Sequence, residues 1–88
     1  MVSQKVKIKN ATGLHLRPAG LLCEIAMKYG CKVTFKTDDN YEANAKSVLS
    51  VLGACVKSGE EVEICCDGAD EIDALADLVS SIEAGLGE

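Results

Sequence analysis

The chain is organised around the stretch Gly13-Leu14-His15-Leu16-Arg17-Pro18-Ala19. This stretch holds the only histidine and the only proline of the 88 residues, and the only arginine follows the histidine by two positions. Proline has a φ near the helical value and no backbone N–H, so Pro18 is predicted to lie in the first turn of a helix. His15 is then expected at the N-terminus of that helix or just before it.

A histidine in that position is suited to carry an anion. The first N–H groups of a helix have no partner within the helix, and the helix dipole is positive there. A phosphoryl group on His15 would meet those amides and the Arg17 guanidinium together. A neutral imidazole is also a good phosphoryl acceptor near neutral pH, and Thr12 could donate its hydroxyl to the phosphate. The alternatives are a buried or helix-capping histidine, and a threonine that only satisfies a turn.

The composition predicts one compact domain with an aliphatic core. A chain of 88 residues is long enough for one domain and too short for two. Its hydrophobic fraction of 48% supports a core and argues against disorder. The only aromatic residues are Tyr29, Phe35 and Tyr41, so Leu, Val, Ile and Ala must form most of that core.

Charge is distributed unevenly along the chain, whose net charge is −5. Residues 1–36 contain seven Lys or Arg and one Glu, whereas residues 37–88 contain two Lys and thirteen Asp or Glu. The lysines do not cluster with aromatic residues and the overall charge is negative, so we do not expect nucleic-acid binding. The pattern favours an acidic domain that binds protein partners.

The cysteines do not form a metal-binding or disulfide pattern. Their number is odd, and none of them form a C-x-x-C pair. Because the chain also has only one histidine, no zinc site is expected. We interpret them as small apolar residues in a reducing compartment. The alternative is a reactive surface thiol, for which Cys65 is the best candidate. The five are Cys23, Cys31, Cys55, Cys65 and Cys66.

Neither a signal peptide nor a membrane-spanning segment is predicted. The N-terminus alternates valine with lysine and lacks a long apolar run. No stretch of the chain is apolar over the length that a transmembrane helix needs. We therefore expect a cytoplasmic protein that does not insert into the membrane.

The spacing of apolar residues predicts four strands and three helices. Strands are expected over residues 4–9, 31–37, 41–45 and 60–67, and helices over residues 16–29, 47–54 and 70–84. Because the strands have one apolar and one polar face, we expect a largely antiparallel sheet with helices on one side, an α+β fold. The polar face of the first strand carries Lys5, Lys7 and Lys9. Gly30 is predicted to cap the end of the first helix, and Ser47 and Asp70 the starts of the other two.

The first predicted helix has apolar residues both inside and outside its core stripe. Leu16, Leu21 and Ile25 lie outside the stripe. Scattered exposed apolar residues are normal, but a cluster of them beside His15 would indicate a docking surface. The stripe itself consists of Ala19, Leu22, Cys23, Ala26 and Tyr29.

The order of elements, the stretch His15-Leu16-Arg17-Pro18-Ala19 and the pair Lys46-Ser47 resemble HPr. This family comprises the histidine-containing phosphocarrier proteins of the bacterial phosphoenolpyruvate-dependent sugar phosphotransferase system. The resemblance covers essentially the whole chain and implies a single HPr-like domain over residues 1–88. It also implies an open-faced β-sandwich in the order βαββαβα, with a four-stranded antiparallel sheet and three helices on one face.

The resemblance implies a carrier and not an enzyme, with no cofactor and no metal. His15 would accept a phosphoryl group on Nδ1 from phospho-enzyme I and pass it to the IIA domains of sugar permeases. Arg17 would stabilise the phosphate during transfer. The implied partner-docking surface around the histidine comprises Leu16, Gly20, Leu21, Val48, Leu49 and Leu52, and the expected state is a monomer.

Ser47 matches the serine that a dedicated ATP-dependent kinase phosphorylates in HPr of low-GC Gram-positive bacteria. The resemblance therefore adds a serine kinase/phosphorylase and a transcriptional regulator as partners. The simpler interpretation is that Ser47 only caps a helix, and Ser50 stands where a glycine is common. The alternative function is a regulatory binding module, either a Ser47-phosphorylated corepressor or a nitrogen-system paralogue.

Overall fold

A computed structural model describes residues 1–87 and has the predicted order of elements, while Glu88 lies outside the described residues. No helix in residues 1–87 is long and apolar enough to cross a membrane. The elements are β1 (Val2–Lys7), α1 (Leu16–Met27), β2 (Lys32–Lys36), β3 (Glu42–Asn44), α2 (Val48–Gly53), β4 (Glu61–Asp67) and α3 (Glu71–Glu83). Each lies within a few residues of its predicted position.

The four strands form one antiparallel sheet in the order β1-β4-β2-β3. Their alternation has the predicted effect on the two faces. Val6 pairs with Val62 on the buried face, whereas Lys5 pairs with Glu63 on the opposite, polar face. The α+β open-faced sandwich expected from the sequence is therefore confirmed.

The end of α1 differs from the sequence prediction. The helix ends at Met27, its cap is Lys28 in the right-handed helical conformation, and Gly30 is not the cap. Ile25, predicted to lie outside the core stripe, is buried. Tyr29 lies beyond the helix and is only half-buried; its hydroxyl donates to Asp77 Oδ2 at 2.6 Å, and this bond raises the pKa of Tyr29 to about 12.

Asp70 holds the connection that follows α1. It occupies the predicted N-cap position of α3, but its carboxylate does not bind that helix. Its two oxygens instead accept the backbone N–H groups of Gly30, at 2.9 Å, and Cys31, at 3.0 Å. These hydrogen bonds, that of Gly30 foremost, lower the pKa of the Asp70 carboxyl.

We expect Asp70→Asn to lower stability at neutral pH, and we expect the difference in stability from the wild type to become smaller as the pH falls. A carboxyl whose pKa is depressed by folding stabilises the folded state above its unfolded pKa of about 3.9, and that contribution is lost as pH falls through the folded pKa. Urea unfolding of both proteins between about pH 7 and about pH 2 would measure the difference. Asp73→Asn, in the same helical turn, is the control; a pH-independent difference for Asp70→Asn would contradict the assignment.

The cysteines are free and differ in exposure. Cys23, Cys31 and Cys66 are buried, as expected for small apolar residues. The exposed thiol is that of Cys55 and not that of Cys65, which is half-buried and whose pKa is raised by that burial. No group of side chains within residues 1–87 has the arrangement of a metal site.

Candidate functional site

The structure places His15 at the N-cap of α1, as the sequence predicts. The residue is extended, with φ −79° and ψ −173°, and its carbonyl accepts the N–H of Ala19 at 2.9 Å. The imidazole is partly exposed and does not cap the helix by hydrogen bonding. Both simpler interpretations, a buried histidine and a capping histidine, are therefore disfavoured.

The backbone on both sides of His15 is fixed by packing. Leu14 is buried, and its N–H donates to the carbonyl of Val56 at 3.0 Å. Gly13, with φ 72°, precedes it in a turn closed by a hydrogen bond from its N–H to the carbonyl of Asn10. Pro18 is also buried. The imidazole is thus carried by a rigid segment while its ring reaches solvent.

His15 lines an open cleft of about 840 Å³ between the β1–α1 connection and the C-terminal segment. Thr12, the candidate hydroxyl donor, lines the same cleft. The side-chain amide of Asn10 donates to the carbonyl of Gly85 at 2.8 Å and so ties the two walls together. Within residues 1–87 the lining residues include no carboxylate; they are Lys9, Asn10, Ala11, Thr12, His15 and Gly85.

Arg17 is exposed in the first turn of α1 and lines an adjoining groove. The C-terminal residues Leu86 and Gly87 form part of that groove, together with Glu24 on the next turns of the helix. Leu86 is buried, 1% exposed, with a positive φ of 47°. Leu86 was not predicted as part of the site, because one leucine between two glycines has no periodicity to indicate that it folds back onto α1.

The predicted docking residues lie on the surface shared by α1 and α2. Leu16 and Leu49 are the most exposed, at 68% and 83%. Gly20, Leu21, Val48 and Leu52 are half-buried. A groove of about 680 Å³ runs along this surface, and its lining includes Met27, a 64% exposed apolar residue that was not predicted.

Ser47 is the N-cap of α2, as predicted. Its hydroxyl oxygen accepts the N–H of Ser50 at 3.3 Å. The Ser50 hydroxyl in turn accepts the N–H of Asn44 at 2.9 Å, a contact that a glycine would lack. The unmodified serine therefore has the capping role that the sequence predicts.

Comparison with known proteins identifies the family of this chain. A family model described as "PTS HPr component phosphorylation site" matches residues 2–84. The chain belongs to the HPr family. This HPr-family chain is 36% identical to phosphocarrier protein NPr of Klebsiella oxytoca, over 99% of this chain and 97% of that protein. It is also 36% identical to the HPr-like protein Crh of Bacillus subtilis, over 94% and 96% of the two chains.

Solved HPr structures share the fold. The structure of HPr-C-His from Thermoanaerobacter tengcongensis superimposes with a TM-score of 0.95 at 38% identity, covering 100% of this chain and 98% of that one. An HPr dimer from the same organism superimposes with a TM-score of 0.79 and covers all of both chains. The protein is thus an HPr-family phosphocarrier. Membership of this family implies partners from the phosphotransferase system, and the expected monomeric state stays a prediction.

Proposed function

We propose that this protein, as a single HPr-like domain, carries a phosphoryl group on His15 from phospho-enzyme I to the IIA domains of sugar permeases. The observation that supports this most is the partly exposed imidazole at the N-terminus of α1, on a fixed backbone beside an open cleft. Such a site can accept a phosphoryl group without enclosing it. A carrier needs this property, because it must also release the group.

The transfer requires positioning and charge stabilisation more than covalent chemistry by the protein. A neutral ring nitrogen of His15 attacks phosphorus, and the bond from phosphorus to its donor atom breaks on the opposite side. The positive N-terminal end of α1 and the Arg17 guanidinium favour the negative charge on the phosphoryl oxygens. The family resemblance assigns the attack to Nδ1. Passage to a IIA domain is the same step in reverse.

Incubation with phosphoenolpyruvate and enzyme I tests the proposal. The wild-type protein should gain one acid-labile phosphoryl group by intact mass, and His15→Ala should gain none while keeping its circular dichroism spectrum. Phosphate on the His15→Ala protein, or acid-stable phosphate on the wild type, would contradict the proposal. Transfer from the phosphorylated protein to a purified IIA domain completes the assay.

The similarity to NPr and Crh, at 36% identity each, favours a second candidate, a regulatory or nitrogen-system paralogue. The two candidates differ in the donor protein. Parallel assays with sugar-system and nitrogen-system enzyme I distinguish them, because the cognate donor should give the higher kcat/KM. Acid-stable phosphate that appears only with ATP and a serine kinase would instead support the regulatory role of Ser47.

We propose that Ser47 has a regulatory role, which its position at the start of α2, beside the predicted docking residues, supports. A phosphate is tolerated at a helix N-terminus, but its charge would oppose the docking of acidic partners next to Val48 and Leu49. We expect Ser47→Asp to raise the KM for phospho-enzyme I about tenfold. The reason is repulsion between the added carboxylate and an acidic partner surface, which costs a few kcal/mol at most. Steady-state transfer kinetics measure the change. Ser80→Asp, exposed on α3, is the control, and equal KM values for both variants would argue against the docking effect.

A further inference from the structure

The cleft lined by His15 is also lined by Lys9, for which no functional role was predicted from the sequence. Alternation placed Lys9 on the polar face of the first strand. In the structure β1 ends at Lys7, so Lys9 lies in the β1–α1 connection and lines the cleft beside His15 and Thr12. Its place is therefore at the candidate phosphoryl site and not on the sheet.

The backbone at Lys9 is held from both sides. Ile8, fully buried, donates its N–H to the carbonyl of Glu60 at 2.9 Å and accepts the N–H of Gly59 at 2.8 Å. Asn10, 4% exposed, is bound through its side-chain amide to Gly85. The exposed Lys9 side chain thus extends from a fixed Cα, and its flexible stem lets the ammonium group reach different parts of the cleft.

The charge around Lys9 differs from that around the other lysines of the first strand. Lys5 and Lys7 face Glu63 and Glu61 across the β1–β4 pair. By contrast, none of the lining residues of the Lys9 cleft in the described part of the chain is acidic. The ion pairs within residues 1–87 are those of the Met1 amine. An anion that entered this cleft would therefore be attracted by an ammonium group that has no ion-pair partner within residues 1–87.

We infer that Lys9 is a second cationic positioning residue for the phosphoryl group on His15, acting from the loop side of the cleft while Arg17 acts from α1. This inference rests on the proposed carrier function. An ammonium group is a compact, mobile point charge, in contrast to the fork-shaped guanidinium. It can stabilise the phosphoryl oxygens during transfer without holding them in one rigid geometry, as a carrier that releases its group requires.

Three variants test the inference: Lys9→Gln, Lys9→Arg and, as the matched control, Lys7→Gln. Rapid-quench transfer from phospho-enzyme I should show kcat lowered about two- to fivefold in Lys9→Gln, the range of one exposed charge pair. Lys9→Arg should restore most of the rate, and Lys7→Gln should match the wild type. A phosphorus NMR titration of the phosphorylated proteins should show a raised pKa of the phosphoryl group in Lys9→Gln only, because a nearby cation favours the doubly ionised form.

The outcomes separate this inference from the proposed function. If Lys9→Gln matches Lys7→Gln in both rate and phosphorus titration, the inference is overturned. A slower Lys9→Gln with an unchanged phosphorus titration also overturns it, since that result indicates partner docking. In either case His15→Ala still decides the carrier function, because a His15→Ala protein that gains phosphate would refute the carrier role whatever Lys9 does.

Discussion

Gly13→Ala is expected to lower the free energy of unfolding by about 2–4 kcal/mol. This value is the sum of two costs, that of a left-handed backbone at a residue with a Cβ and that of overpacking. Gly13 has φ 72°, and a Cβ there would overlap the Val56 carbonyl oxygen and lie 2.9 Å from Lys57 Cα. The same carbonyl accepts the Leu14 N–H, so the segment just before His15 must move. We therefore expect phosphoryl acceptance to fall as well. Urea unfolding and the enzyme I assay measure the two effects.

Gly59→Ala is the matched control for this prediction. Gly59 also has a positive φ, of 84°, but a Cβ there would meet nothing within 4 Å. Its substitution should therefore cost only the backbone term, about 1 kcal/mol, and leave transfer unchanged. If the two alanine variants were equally destabilised, the overlap at the Val56 carbonyl would not be the cause.

Arg17→Ala is expected to lower kcat/KM for phosphoryl acceptance about a hundredfold, the lower end of the loss seen when a donor to a developing oxyanion is removed. Arg17 is exposed in the first turn of α1, and its neighbouring groove adjoins the His15 cleft along the C-terminal segment. Because the guanidinium is exposed, we expect stability to change by less than about 0.5 kcal/mol. Single-turnover transfer and thermal unfolding measure these quantities.

Two further variants sharpen the Arg17 prediction. Arg17→Lys keeps the charge but loses the bidentate geometry, so its rate should be intermediate. Lys32→Ala removes an exposed cation from the polar face of the sheet and should leave transfer unchanged. A wild-type kcat/KM in Arg17→Ala would contradict a role of the arginine in phosphoryl transfer.

The spacing of apolar residues predicted the strands and helices, because strand alternation and helical periodicity are both properties of the local chain. Val33 and Phe35 alternate with Lys32 and Lys36, so one face of β2 must be buried whatever packs on it. The position of His15 was predictable for a similar reason, since Pro18 restricts the local backbone in any tertiary setting. The N-cap at Ser47 is likewise local, because its hydroxyl binds an amide three residues away.

Predictions that depended on distant neighbours were wrong or missing. Gly30 was predicted as a cap, but the connection after α1 is held by Asp70, 40 residues further along the chain. Cys65 was the best candidate for the alternative of a reactive surface thiol, whereas it is half-buried on a central strand and Cys55 is the exposed cysteine. Hydrogen bonds and burial between remote segments have no signature in local spacing.

The amino-acid order alone thus determined the strands, the helices and a histidine at the start of α1, because backbone preferences and apolar periodicity act over a few residues. Only the tertiary structure decided what surrounds that histidine. Asn10 binds Gly85 across 75 residues, and this contact joins the two walls of the cleft that Lys9 and His15 both line. The shape of the cleft thus depends on a segment that is distant in sequence and is brought against the β1–α1 connection by burial of a common core.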